Sequence, residues 1–149
     1  MESVKQRFTS LGTVIEGVHA LFDQWPEESM YSGIDLETFS RMKLAVHEWM
    51  ANLVQHADFG NRQPDISLDV WTEQNSIMCV VEDNSDGFDL DEYLVFCREA
   101  LDTLPERGMG LLMLQACASG LVYGRISDGR NRLRFSVSAD TEPWVNIPF

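Results

Sequence analysis

The sequence predicts an α+β fold, a two-layer sandwich in which a mixed, mostly antiparallel sheet carries its helices on one face. Three observations lead there. Apolar residues recur at three-to-four-residue spacing in two long stretches, Leu11 to Phe22 and Leu36 to Ala57. Apolar and polar residues alternate in pairs of neighbouring segments, Ile66-Leu68-Val70 with Ile77-Cys79-Val81, and Leu121 to Ile126 with Leu133-Phe135-Val137. Each pair is joined by turn-forming residues, and Asp128-Gly129 is a strong hairpin signal.

In chain order, Val4 to Thr9 reads as a short edge strand. Ser10 stands where an N-cap belongs for the helix carrying Leu11, Val14, Ile15, Val18, Leu21 and Phe22, which ends before Pro26. Residues 26–33 are turn-rich. Asp35 starts a second helix that runs to about Ala57 and is broken by Asp58-Phe59-Gly60-Asn61 and Pro64. The strands around Ile66 and Ile77 meet at the turn Glu73-Gln74-Asn75-Ser76. Met78 and Val80 make the second strand apolar on both faces, which suits a central position. Asp89 or Asp91 caps a helical segment to about Leu101, and Pro105 marks a loop. Gly108-Met109-Gly110 opens a helix over Leu111 to Ala118 that Gly120 ends, and the last hairpin follows. The stretch from Ala139 to Phe149 has no periodicity.

A chain of 149 residues, 44% hydrophobic and 23% charged, is the size of one domain (1–149) with one core. It offers no apolar run of membrane-spanning length, and Met1-Glu2-Ser3 is not the start of a secretory signal, so a soluble cytoplasmic protein is expected, without membrane partners. Cys79, Cys97 and Cys117 are odd in number and set among apolar residues, as reduced core thiols are. A formal charge of −13 argues against a nucleic-acid surface and favours a basic protein partner. Arg125 to Arg134, around the last hairpin, reads as a solvated face or a partner-binding one.

Three stretches hold more polar groups than folding needs. Glu48, Asn52 and His56 are four residues apart within an otherwise apolar helix, and at about 100° per residue they form one stripe. A carboxylate and a carboxamide one turn apart suit Mg²⁺ and proton transfer. The strand through Val81 ends in Glu82-Asp83-Asn84-Ser85-Asp86-Gly87, where an Asp can accept from an amine and a glycine lets a flat ring approach. Arg107-Gly108-Met109-Gly110 begins a helix, whose free N–H groups cradle phosphate.

In this order and at these distances the stretches resemble the boxes of the GHKL (Bergerat-fold) ATPases. Glu48-x-x-x-Asn52-x-x-x-His56-Ala57 is similar to the N-box, Asp83-Asn84-Ser85-Asp86-Gly87 to the DxGxG box, and Gly108-Met109-Gly110-Leu111 to the GxGL box. Ala45-Val46-His47-Glu48, Glu106-Arg107-Gly108-Met109-Gly110 and the short interval between Gly87 and Gly108 most resemble anti-sigma-factor serine kinases of the RsbW/SpoIIAB type. The likeness spans about residues 4–138.

The resemblance implies ATP and Mg²⁺ as cofactors. It implies Asn52 as Mg²⁺ ligand, Glu48 as general base, Asp83 as reader of the adenine amine, and Gly87, Gly108, Met109 and Gly110 as the pocket and phosphate cradle. Arg107 becomes a phosphate contact, and His56 holds the helix end. It implies a STAS-domain anti-anti-sigma protein as substrate, a sigma factor as the sequestered partner, and a homodimer. Ser85 departs from the pattern in place of the first box glycine, and Ser119 stands where relatives usually carry Asp. Two other readings stay open: a nucleotide-binding or degenerate interaction module without kinase activity, and a histidine-kinase-like catalytic domain.

Overall fold

The computed structural model describes residues 3–24, 34–100 and 109–139. The turn expected over 26–33, the Pro105 loop, Arg107, Gly108 and residues 140–149 lie outside them.

The order is β1 (Ser3–Phe8), α1 (Val14–Gln24), α2 (Leu36–His56), β2 (Ile66–Glu73), β3 (Ser76–Asp83), α3 (Leu90–Ala100), α4 (Met109–Cys117), β4 (Ser119–Arg125) and β5 (Asn131–Ser138). The five strands form one sheet in the order β1-β2-β3-β5-β4, with β1 at an edge and β3 in the centre, as the sequence implied. Every pairing is antiparallel. β3 and β4 run the same way after the crossover through α3 and α4, but β5 lies between them, so no parallel pair forms.

Alternation decides what each strand buries. Ile66, Leu68 and Val70 of β2, Ile77, Cys79 and Val81 of β3, and Leu133, Phe135 and Val137 of β5 are all at most 1% exposed and lie under the helices. In α2, Met42, Ala45, Val46, Trp49, Met50 and Leu53 are fully buried against that layer. Each large apolar side chain taken from water contributes about 1.5–3 kcal/mol, so this shared core is what fixes α2 over the sheet. Asp35 caps α2 by accepting from the Thr38 N–H at 2.7 Å, and Asp89, not Asp91, accepts from the Glu92 N–H at 3.0 Å at the start of α3. All three cysteines are buried and free.

Two local expectations fail. Ser10 makes no side-chain cap: residues 11–13 form a 3₁₀ turn, and its carbonyl takes both the N–H of Thr13 at 3.2 Å and its hydroxyl at 3.0 Å. Gly120 does not end α4, which stops at Cys117. It lies inside β4 at φ 62°, where the register against β5 shifts, and its left-handed conformation absorbs the irregularity. Asp128 and Gly129 do turn the last hairpin, both at positive φ, 69° and 72°.

Candidate functional site

Once α2 has buried its apolar side, the adjoining stripe has no sheet to face. Glu48, Asn52 and His56 line a cavity of about 660 Å³ together with His47, Tyr93 and Phe96 of α3, and Gly110 and Leu111 of α4. The first turn of α4 therefore borders the space that Glu48 and Asn52 face, and its leading N–H groups have no intrahelical partners. Gly110 meets Glu48 directly: a Cβ at that position would collide with the Glu48 carboxylate and lie 3.1 Å from its carboxyl carbon. Only glycine permits this approach. Met109 begins the helix and is 40% exposed. Among the described residues neither Glu48 nor Asn52 has a hydrogen-bond partner for its side chain, although Asn52 is only 8% exposed. His47, which lines the cavity, also meets His19 of α1, Nδ1 to Nε2 at 3.2 Å.

The second cluster forms where β3 ends. Asp83 is 1% exposed, and its Oδ1 accepts from the Ser85 N–H at 2.9 Å, the Ser85 hydroxyl at 2.5 Å and Asn131 Nδ2 at 3.0 Å. Its Oδ2 is equally buried and has no donor among the described residues. A buried carboxylate oxygen left bare costs about 1–3 kcal/mol or more, and an incoming N–H group removes that cost. Ser85, the departure from the box pattern, thus turns its hydroxyl toward Asp83 and also accepts from the Gly87 N–H at 3.2 Å. Gly87 adopts φ 75° with the Asn131 side chain against it, so a Cβ there would lie 3.1 Å from Asn131 Cγ.

The turn is braced from outside. Arg62 donates to the Asn84 carbonyl at 2.9 Å and to Asp86 at 2.5 Å, Arg125 donates to the Asp86 carbonyl at 2.7 Å, and the Asp86 N–H reaches the Asp58 carbonyl at 2.8 Å. Arg130 and Arg132 pair with Asp65 and Glu82. Most of the arginines near the last hairpin are therefore tied to their own fold.

The two clusters do not share one open cleft. Asp83 and Gly87 are absent from the cavity lining, and aromatic rings fill the interval. Phe88 stacks on Trp49 at 5.8 Å, lies 5.1 Å from Tyr123, and meets Tyr93, which lines the cavity, edge-on at 5.9 Å. Trp49 and Tyr123 are 5.1 Å apart. Sequence reasoning missed Asn131, Tyr123 and this ring cluster. Asn131 left one signal: it falls on the inward stripe of β5, in register with Asp83, where an apolar residue would be ordinary. The ring cluster joins α2, α3, β4 and the loop that follows β3, and left none.

A helix stripe of free carboxylate and carboxamide, a glycine-tight helix start and a buried, donor-seeking aspartate define a nucleotide-binding ATPase-type domain. Over residues 11–137 the chain matches the model of the histidine kinase-like ATPase domain, and it belongs to that family. A solved structure with a similar fold is the nucleotide-free catalytic domain of histidine kinase ThkA, with TM-score 0.50 and 13% identity over 95% of this chain and all of that one. At that identity the likeness is one of fold. No curated protein matches the chain. Among the described residues no helix is long and apolar enough to cross a membrane.

Proposed function

We propose that this chain is a Mg-ATP-dependent protein serine kinase of the anti-sigma-factor type, which phosphorylates a STAS-domain anti-anti-sigma partner and sequesters a sigma factor. The observation that carries the reading is the position of Glu48. Among the described residues its carboxylate has no hydrogen-bond partner; it abuts Gly110 at the start of α4 and faces the same cavity as Asn52. A free base beside a helix start suited to phosphate is what transfer to a hydroxyl requires.

The residues fit the implied ligands. Asp83 Oδ2 offers a buried acceptor for the 6-amino group of adenine, and Gly87 gives the turn beside it the positive φ it needs. The helix start at Met109 and Gly110, with Gly108 and Arg107 before it, serves the phosphates, and Asn52 offers an oxygen ligand for Mg²⁺. Held there with ATP, Mg²⁺ would supply positive charge to offset that of the phosphates. Glu48 would accept the proton of the partner's serine hydroxyl as that oxygen bonds to the γ-phosphorus and ADP departs. His56 bounds the cavity at the end of α2. A homodimer is part of the same proposal.

The family match supports a second reading, phosphoryl transfer to a histidine, as its name suggests. The test is incubation with γ-labelled Mg-ATP and candidate STAS proteins, followed by identification of the modified residue. Acid-stable phosphoserine supports the proposal. Acid-labile phosphohistidine supports the second reading, and nucleotide binding without transfer to any partner leaves a binding module.

A further inference from the structure

We infer that Tyr123 is a base-reading residue, whose hydroxyl donates to the ring nitrogen next to the amine that Asp83 accepts. The inference rests on the nucleotide reading above and adds to it a residue outside the three sequence boxes.

The register brings the two groups together. Asp83 pairs with Asn131 and Asn131 with Arg125, while Tyr123 lies two residues before Arg125 on β4, opposite inward-facing Leu133. Asp83 and Tyr123 therefore stand on the helix-covered side of the sheet, one row apart, with β5 between their strands. Both end in a buried oxygen that lacks a hydrogen-bond partner among the described residues: Asp83 Oδ2 and the Tyr123 hydroxyl. Two such atoms on one side of a sheet end each carry a cost until something pairs with them. The Trp49 and Phe88 rings, each about 5 to 6 Å from Tyr123 or from one another, supply flat apolar surface beside them.

Chemistry decides what fits. Burial, then the charge of Asp83, push the Tyr123 hydroxyl to hold its proton, so it is a donor at neutral pH. The backbone N–H of Phe88 lies near enough to oppose this without meeting hydrogen-bond geometry. Asp83 Oδ2 can only accept. An acceptor beside a donor matches the amine and adjacent ring nitrogen of a 6-aminopurine. Guanine offers the reverse, a carbonyl and a ring N–H, and is mismatched at both atoms.

The experiment titrates wild type and Tyr123→Phe with Mg-ATP, Mg-GTP and Mg-1-deaza-ATP, which keeps the amine but lacks the ring nitrogen. Wild type should bind ATP roughly twofold to tenfold more tightly than 1-deaza-ATP, the value of one net hydrogen bond. Tyr123→Phe should lose that ratio by weakening ATP alone, with 1-deaza-ATP affinity unchanged. Equal wild-type affinities for ATP and 1-deaza-ATP overturn the inference without reference to any variant. Equal weakening of both ligands in Tyr123→Phe also overturns it. If none of the three nucleotides binds, the nucleotide reading itself falls, and this inference with it.

Discussion

Asn131 donates from Nδ2 to Asp83 Oδ1 at 3.0 Å across the β3–β5 pair, which settles the carboxylate oxygen left bare. The same amide nitrogen reaches the Ser85 carbonyl at 2.9 Å, so one side chain holds both Asp83 and its turn. Asn131→Ala should cost about 1–3 kcal/mol, since it strips donors from buried acceptors. It should also narrow the ATP-to-GTP preference, because the carboxylate is then held from one side only, by Ser85. Chemical denaturation and a nucleotide titration check the two halves. An unchanged preference would show that Asn131 only stabilises the fold.

Two glycines at positive φ separate backbone strain from collision. Gly87→Ala and Gly120→Ala both force a side chain into the left-handed region, at about 1–2 kcal/mol each. At Gly120 nothing lies within 4 Å of the new Cβ, whereas at Gly87 it meets Asn131. Gly87→Ala should therefore be the more destabilising in urea. Equal midpoints for the two variants would show that Asn131 yields without cost.

Gly110→Ala should dissociate stability from function. The Cβ displaces the end of a flexible, half-buried Glu48, and alanine favours the helix by up to about 1 kcal/mol, so the melting temperature should hold or rise. Phosphoryl transfer should fall on the order of a hundredfold if the carboxylate is pushed aside by about 1 Å. Retained transfer would mean that the packing of Gly110 on Glu48 has no catalytic consequence.

Acid sensitivity should include a contribution from Asp65. Arg7 holds it with two bonds, at 2.8 and 2.9 Å, and with Arg130 keeps its carboxyl below the usual carboxylate range. The folded pKa is depressed, so the stabilisation is fully present above about pH 4 and is lost as pH falls through the folded value. Arg7 is 69% exposed, which limits the effect to about 1 kcal/mol or less. Asp65→Asn should flatten the stability profile below pH 4 by that amount. An unaltered acid limb would remove Asp65 from the account.

Much of this could be read from the chain because the relevant signals are local. The alternation of Ile77, Cys79 and Val81 with apolar Met78 and Val80 located the central strand, and Asp35 and Asp128-Gly129 marked a cap and a turn by their own chemistry. Glu48 and Asn52 stood out as polar groups on an apolar helix, and the fold does aim both into one cavity. What could not be read depends on neighbours distant in sequence. Ser10 looked like a cap, but Thr13 took its carbonyl; Gly120 looked like a helix end, but the strand began before it. The ring cluster of Trp49, Phe88, Tyr93 and Tyr123 exists only because α2, α3 and β4 converge on the residue after Gly87.

The central proposal, that one helical stripe carries a base at Glu48 and a metal ligand at Asn52, is tested by measuring γ-phosphate transfer from Mg-ATP to candidate STAS proteins alongside nucleotide affinity. Glu48→Gln keeps the side-chain shape and should bind Mg-ATP nearly as wild type does, while transfer falls about a hundredfold to ten-thousandfold. Asn52→Ala should lose Mg-ATP affinity as well as transfer. Transfer at the wild-type rate by Glu48→Gln would contradict the account, even with ATP bound as expected.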